Sequence, residues 1–190
     1  MAKVKLNPVL EQFRGRIGEL VFKRYGDEVV VSPNPDRSDI QPSEAQLAQQ
    51  ERFREATLYG KTIMADADLK ADYDAVAHSK GIPVFALTIA DFFHAPHIRG
   101  IDLSEYAGAV GNTILIQADD DFEVTSVQVS LTDSEGTPIE SGAAVESPPQ
   151  SGNWLYTATA AVASGTTVRV AATASDRPGG MGTGEAEKSI

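Results

Sequence analysis

The spacing of apolar positions changes character along the chain, and the change divides it in two. The first patterned stretch alternates: Ile17, Glu19, Val21, Lys23 and Tyr25 run through it, and Glu28-Val29-Val30-Val31-Ser32 follows after Gly26-Asp27. That pattern predicts a β-hairpin with strands over 18–24 and 28–32 and a turn at 25–27. Residues 32–39 hold Pro33, Asn34, Pro35, Asp36 and Asp39, which break a strand ladder and predict a loop.

The period then becomes helical. Ser43 precedes Gln46 by three positions, the spacing of a capping box, and opens a helix running to about residue 65. Its apolar stripe is drawn through Leu47, Phe53, Ala56, Thr57, Tyr59, Gly60, Ile63 and Met64. Asp66 caps a second helix over 67–79, with Leu69, Tyr73, Val76 and Ala77 on one face and Gly81 as its stop. Pro83 opens a third helix over 83–94, which Pro96 ends. Three helices joined by short loops predict a small bundle.

From Ile98 onward the period is two. Seven strands are predicted, over 99–103, 113–118, 123–131, 138–141, 153–160, 167–174 and 183–188. Trp154, Tyr156, Ala158 and Ala160 alternate strictly, as do Val168, Val170, Ala172 and Ala174. Residues 132–137, Thr-Asp-Ser-Glu-Gly-Thr, form a hairpin turn with Gly136 at the position that needs positive φ. Short strands at this spacing predict a Greek-key sandwich with Trp154 near its centre. The fold class is therefore α+β. Residues 1–97 form a hairpin and three-helix module, and residues 98–190 an all-β sandwich.

Charge sharpens that division. The chain has 190 residues and a net charge of −11. Residues 1–98 hold 12 Lys and Arg against 14 Asp and Glu, whereas residues 99–190 hold 4 against 13. So acidic a balance disfavours nucleic acid as a main partner. The absence of cysteine excludes disulfides, thiolate metal sites and thiol nucleophiles. The start of the chain has basic residues but no apolar run like that of a signal peptide, and the apolar stretch 82–93 is too short and too polar to span a bilayer.

Three segments of the second half resemble a known family. They are DDDFEVTSVQVSLTDSEGTPI from Asp119, GNWLYTATA from Gly152 and GTTVRVAATASDRPGGMGTGEA from Gly165. Together they resemble the immunoglobulin-like or fibronectin-like modules of bacterial surface and adhesin proteins. The resemblance covers 99–190, departs from antibody domains in lacking a cysteine pair, and implies a sandwich but no particular role. The first half, RIGELVFKRYGDEVVVSPNP before PSEAQLAQQERF, is similar to uncharacterised bacterial proteins that place a Gly-rich hairpin before helices.

Few residues suggest chemistry. Asp119, Asp120 and Asp121 gather carboxylates at a strand end, the donor type a calcium ion wants, but without the spaced ligands of an EF-hand loop. The plainer reading is a solvated acidic turn. His94 and His97, with Asp91 upstream, have the donor types of a zinc site, yet Pro96 interrupts them and no fourth ligand follows. Neither phosphate-loop signature nor a G-x-S-x-G elbow occurs. Phe92, Phe93 and Trp154 read as core, and the basic residues Arg14, Arg16, Lys23 and Arg24 as a face for an acidic partner surface.

The expected function is non-enzymatic and structural: a self-associating subunit of a filament or phage-type particle, joined through the hairpin region, with the acidic sandwich toward solvent. An adhesin-like module binding a glycan or a protein, with calcium assisting, is the alternative. Both expectations favour an extracellular filament or a virion over the cytoplasm, and neither requires a resident cofactor.

Overall fold

The computed structural model describes residues 2–4, 14–25, 28–34 and 41–190. The chain divides into two units, Met1–Leu47 and Ala48–Ile190. The periodicity places a division at residue 97 instead. The units part earlier because the helical core includes Phe122, a side chain from beyond that boundary.

In the first unit, β1 (Ala2–Val4), β2 (Gly15–Ile17), β3 (Leu20–Tyr25) and β4 (Glu28–Pro33) form an antiparallel sheet in the order β1-β4-β3-β2. The expected hairpin is its β3–β4 pair, with Lys23 opposite Val30 and Tyr25 opposite Glu28. Gly18 is not in a strand. It turns at φ +58° between β2 and β3, so that Ile17 faces Leu20 across the ladder. The expected turn residues Gly26 and Asp27, and the expected loop residues 35–39, lie outside the described residues.

Helix α1 (Glu44–Ala65) begins at the predicted capping box. The Ser43 backbone N–H donates to Gln46 Oε1 at 2.9 Å, and the Gln46 N–H donates to Ser43 Oγ at 3.3 Å. Helix α2 (Ala67–Lys80) is capped by Asp66, whose carboxylate accepts from the Asp68 and Leu69 N–H groups, and it ends on Gly81 at φ +66°. Helix α3 (Val84–Phe93) follows Pro83. The stripe drawn on α1 is too wide. Only Ala56, Gly60 and Ile63 are buried in it, while Leu47, Phe53 and Met64 are exposed. The reason is close approach: a Cβ on Gly60 would meet Thr88 Oγ1 at 2.6 Å and the Phe85 ring at 2.8 Å. The chain seats α1 on α3 by its smallest residues and leaves larger ones outside.

The seven expected strands are present as β5 (His97–Asp102), β6 (Thr113–Asp119), β7 (Val124–Asp133), β8 (Pro138–Glu146), β9 (Asn153–Thr157), β10 (Thr167–Asp176) and β11 (Met181–Ser189). Their order is β11-β10-β7-β8-β9-β6-β5. Strand β8 joins two layers. Up to Ala144 it pairs with β7, and Val145 and Glu146 pair with β9. Between the layers lies one core, with Val127, Val129 and Leu131 of β7 and Val168, Val170, Ala172 and Ala174 of β10 on one side. Ile114 and Ile116 of β6 and Trp154 and Tyr156 of β9 stand opposite. Strand β9 ends at Thr157, short of the expected residue 160. There the Thr159 and Ala160 N–H groups turn to Glu140 Oε2 at 2.8 and 3.1 Å.

The outer strands β11 and β5 close on each other through glycine. A Cβ on Gly182 would fall 1.7 Å from the Pro96 carbonyl oxygen, and one on Gly184 would fall 2.7 Å from Ile98. Backbone cannot move aside as a side-chain tip does. Gly182→Ala is therefore expected to destabilise the protein by about 3 kcal/mol, measured by urea unfolding followed through Trp154 fluorescence. Gly100→Ala, where the nearest atom would be Gln117 Oε1 at 3.8 Å, serves as the near-neutral control.

Candidate functional site

The richest polar arrangement lies where the helices meet the β6–β7 loop. Helix α3 reads VFALTIADFF, and Asp91 is the single ionisable residue in it. Its side chain is 0% exposed. A buried carboxyl needs partners, and two helices supply them. Tyr73 of α2 donates to Asp91 Oδ2 at 2.5 Å, Tyr59 of α1 reaches the same oxygen at 3.1 Å, and the two hydroxyls lie 2.7 Å apart. One carboxyl thus ties all three helices. Burial pushes Asp91 up to about 7, against the pull of the Tyr73 and Tyr59 hydrogen bonds. Burial also raises both phenols, which stay neutral donors.

The β6–β7 loop enters this helical cluster. Phe122 stacks on Tyr73 with ring centroids 3.6 Å apart and planes 10° from parallel, and it belongs to the same core as Ile63, Ala77 and Leu87. Arg177 also lies over the Phe122 ring, with the guanidinium carbon 5.8 Å from the ring centroid.

The three aspartates picked out as a calcium candidate stand beside Phe122, but their carboxylates go to three different places. Asp119 forms a two-point pair with Arg99, at 2.7 and 2.5 Å, which holds its carboxyl below the usual carboxylate range. Asp121 accepts from His94 Nδ1 at 2.5 Å, while Lys80 Nζ donates to the Asp121 carbonyl at 2.5 Å. Asp120 points inward to Asp91 and is raised by burial. The zinc candidates separate as well: Asp91 is in the core, His94 is on Asp121, and His97 lies in β5 opposite Asp119. Among the described residues, no group of three or more acidic or imidazole side chains is arranged to hold a metal ion.

Asp176, at the end of β10, is a residue that sequence reasoning missed. Its Oδ1 accepts from the Gly179 and Gly180 N–H groups at 2.8 and 2.5 Å and shapes the turn before β11. That turn borders an open groove of about 540 Å³ with Glu51, Arg52 and Glu55 of α1 and Phe92 of α3. Arg52 is already engaged, since it donates to the Phe93 carbonyl and lies 5.0 Å from the Phe93 ring centroid. The groove therefore has an aromatic wall and two acidic side chains.

No protein-family model matches the chain, and no curated protein matches it. A solved structure titled "Crystal structure of Br derivative BhCBM56" is similar over 49% of this chain and 87% of that one, with 21% sequence identity and a TM-score of 0.33.

Phe122→Ala removes the stack that joins loop to helices. It is expected to destabilise by about 2–4 kcal/mol and to lower the helical and sandwich transitions together, as read by circular dichroism and Trp154 fluorescence. Tyr73→Phe keeps the ring, removes one donor to a buried carboxyl, and is expected to cost about 1–3 kcal/mol.

Proposed function

We propose that the protein is a non-enzymatic structural subunit that self-associates through its N-terminal sheet, as in a filament or a phage-type particle. One observation carries this reading: the four-stranded sheet leaves three large apolar side chains exposed and half-buries Val21, Phe22, Val30 and Val31. Ile17, Leu20 and Tyr25 are 53%, 44% and 63% exposed, and among the described residues of this unit Val29 alone is buried. A sheet gains its stability by covering an apolar face. The strands β1 and β2 form its two edges, and an edge strand is a template for another chain.

Charge supports the same direction. Residues 1–47 hold 7 Lys and Arg and 7 Asp and Glu, so all eleven excess negative charges belong to residues 48–190. Neutral sheets can meet without like-charge repulsion, while the acidic units keep apart and in solvent. The side chains with catalytic potential serve as ties, with Asp91 on two phenols, Asp119 on Arg99 and Asp121 on His94.

A second reading, an immunoglobulin-like binding module, rests on strand order and on the groove. Pairing groups β5, β6 and β9 on one side of β8 and β7, β10 and β11 on the other, a division that supports an immunoglobulin-type reading. The groove beside Phe92 would take a ligand that stacks on an aromatic ring and donates to carboxylates.

Light scattering and negative-stain imaging of the whole protein distinguish the two. Assembly predicts species larger than a monomer, and Ile17→Asp with Leu20→Asp is expected to weaken association at least tenfold without lowering the unfolding transition of the sandwich. A strict monomer at high concentration overturns the assembly reading.

A further inference from the structure

We propose that Asp91 and Asp120 share one proton, and that this proton clasps the helices to the β6–β7 loop in a pH-sensitive joint. The inference starts from orphaned atoms. Asp91 Oδ2 is satisfied twice, by Tyr73 and by Tyr59, yet Asp91 Oδ1 is buried without a partner. Asp120 Oδ1 is buried without a partner as well. The two carboxyls lie within hydrogen-bonding reach of each other. If both were ionised, two acceptors would face each other in a desolvated site, and each would bear the cost of an unmet buried charge. A single proton on Asp91 Oδ1 removes the conflict, because Asp91 then donates to Asp120 and keeps its other oxygen as the acceptor for the two phenols. Asp120 remains a carboxylate, turned also toward the Phe122 N–H at 3.5 Å.

The surroundings select this arrangement. From α1 and α2 the groups facing Asp91 are Tyr59 and Tyr73, neutral hydroxyls that donate to it. From the end of β10, Asp176 adds a negative charge near Asp120, and its buried Oδ2 is likewise without a partner. Arg177 is the cation facing this cluster, placed over Phe122 and paired with Glu123. His94 and Lys80 meet the loop one residue further on, at Asp121. A cation bridging the orphaned oxygens is the competing solution, but among the described residues no group of three or more acidic or imidazole side chains is arranged to hold one. This inference is independent of the assembly reading, since every residue in it lies in 48–190.

The sign follows from linkage. Asp91 in the folded protein holds its proton up to about pH 7, well above an unfolded aspartate near 3.8. A raised folded value means that the contribution is fully present below the unfolded value and is lost as pH rises through about 7. Thermal unfolding of the whole protein should therefore show Tm falling by roughly 5–10 °C between pH 5 and pH 8.5. Asp91→Asn places a permanent N–H donor where the proton sits and an amide oxygen under the phenols. It should fold, lose most of that fall, and match or exceed the natural protein above pH 7.5. Asp120→Asn, which donates from the other side, is the second variant and should flatten the same window. Comparison with either variant separates this site from His94, which both retain. Infrared spectra at pH 6 should show a protonated carboxyl band that Asp91→Asn lacks. A flat Tm profile in the natural protein overturns the proposal, as does the same slope in both variants. A Tm rise on adding calcium at pH 8 that Asp91→Asn abolishes overturns it too, in favour of a bound cation.

Discussion

The interaction on which residues 48–190 depend is the insertion of the β6–β7 loop among the helices. Without Phe122 the helical cluster is short of apolar contact: its buried members are Ile63, Tyr73, Ala77 and Leu87. Tyr59, Leu69, Val76 and Val84 pack on these four only partly buried, and Phe122 on the face of Tyr73 adds to that small core. The end of β6 and the same loop carry polar ties to either side, from Arg99 to Asp119 and from His94 and Lys80 to Asp121. Those ties are partly exposed, and each contributes little by itself. Their effect is to fix the path of the loop so that Phe122 and Asp120 enter at the right depth. The helices from Ala48 onward and the sandwich strands therefore belong to one unit, joined through this loop.

Asp91 brings the opposite kind of constraint. A carboxyl in the most apolar helix costs stability by burial, and the two phenols reduce that cost without removing it. An apolar residue of similar size at that position would give a plainer core. What the carboxyl adds is direction. It selects one registration of α1, α2 and α3, because only one brings Tyr59 and Tyr73 onto the same oxygen. It also gives the joint a response to protons that an apolar core lacks.

Much of this was legible in the sequence, and the exceptions have physical causes. The sandwich strands were readable because inward and outward residues alternate in a sheet with one covered face, as in β10 with Val168, Val170, Ala172 and Ala174. The helix boundaries were readable from local chemistry at Ser43, Asp66, Gly81 and Pro83, which needs no tertiary context. The width of the α1 stripe was not readable, since hydrophobicity puts Leu47 and Phe53 on the same stripe as Gly60. Close packing on Thr88 and Phe85 decided otherwise. Strands β1 and β2 are three residues each, too short to show a period. In the site, the run of three aspartates drew attention for its density, but successive residues of a loop point apart, so density did not become convergence. The better signal was a single Asp in VFALTIADFF with a tyrosine on the buried face of each neighbouring helix.

Helices and sandwich are expected to unfold as one cooperative unit held by that joint. Trp154, the chain's one tryptophan, lies in the sandwich core, and the three helices dominate the far-ultraviolet circular dichroism, so each half has its own reporter. Urea unfolding at pH 6 followed by both signals tests the claim directly. Coincident transitions with one midpoint and one slope are the predicted result. Loss of the helical signal at lower urea than the Trp154 transition would show that the helices unfold on their own, and would contradict it.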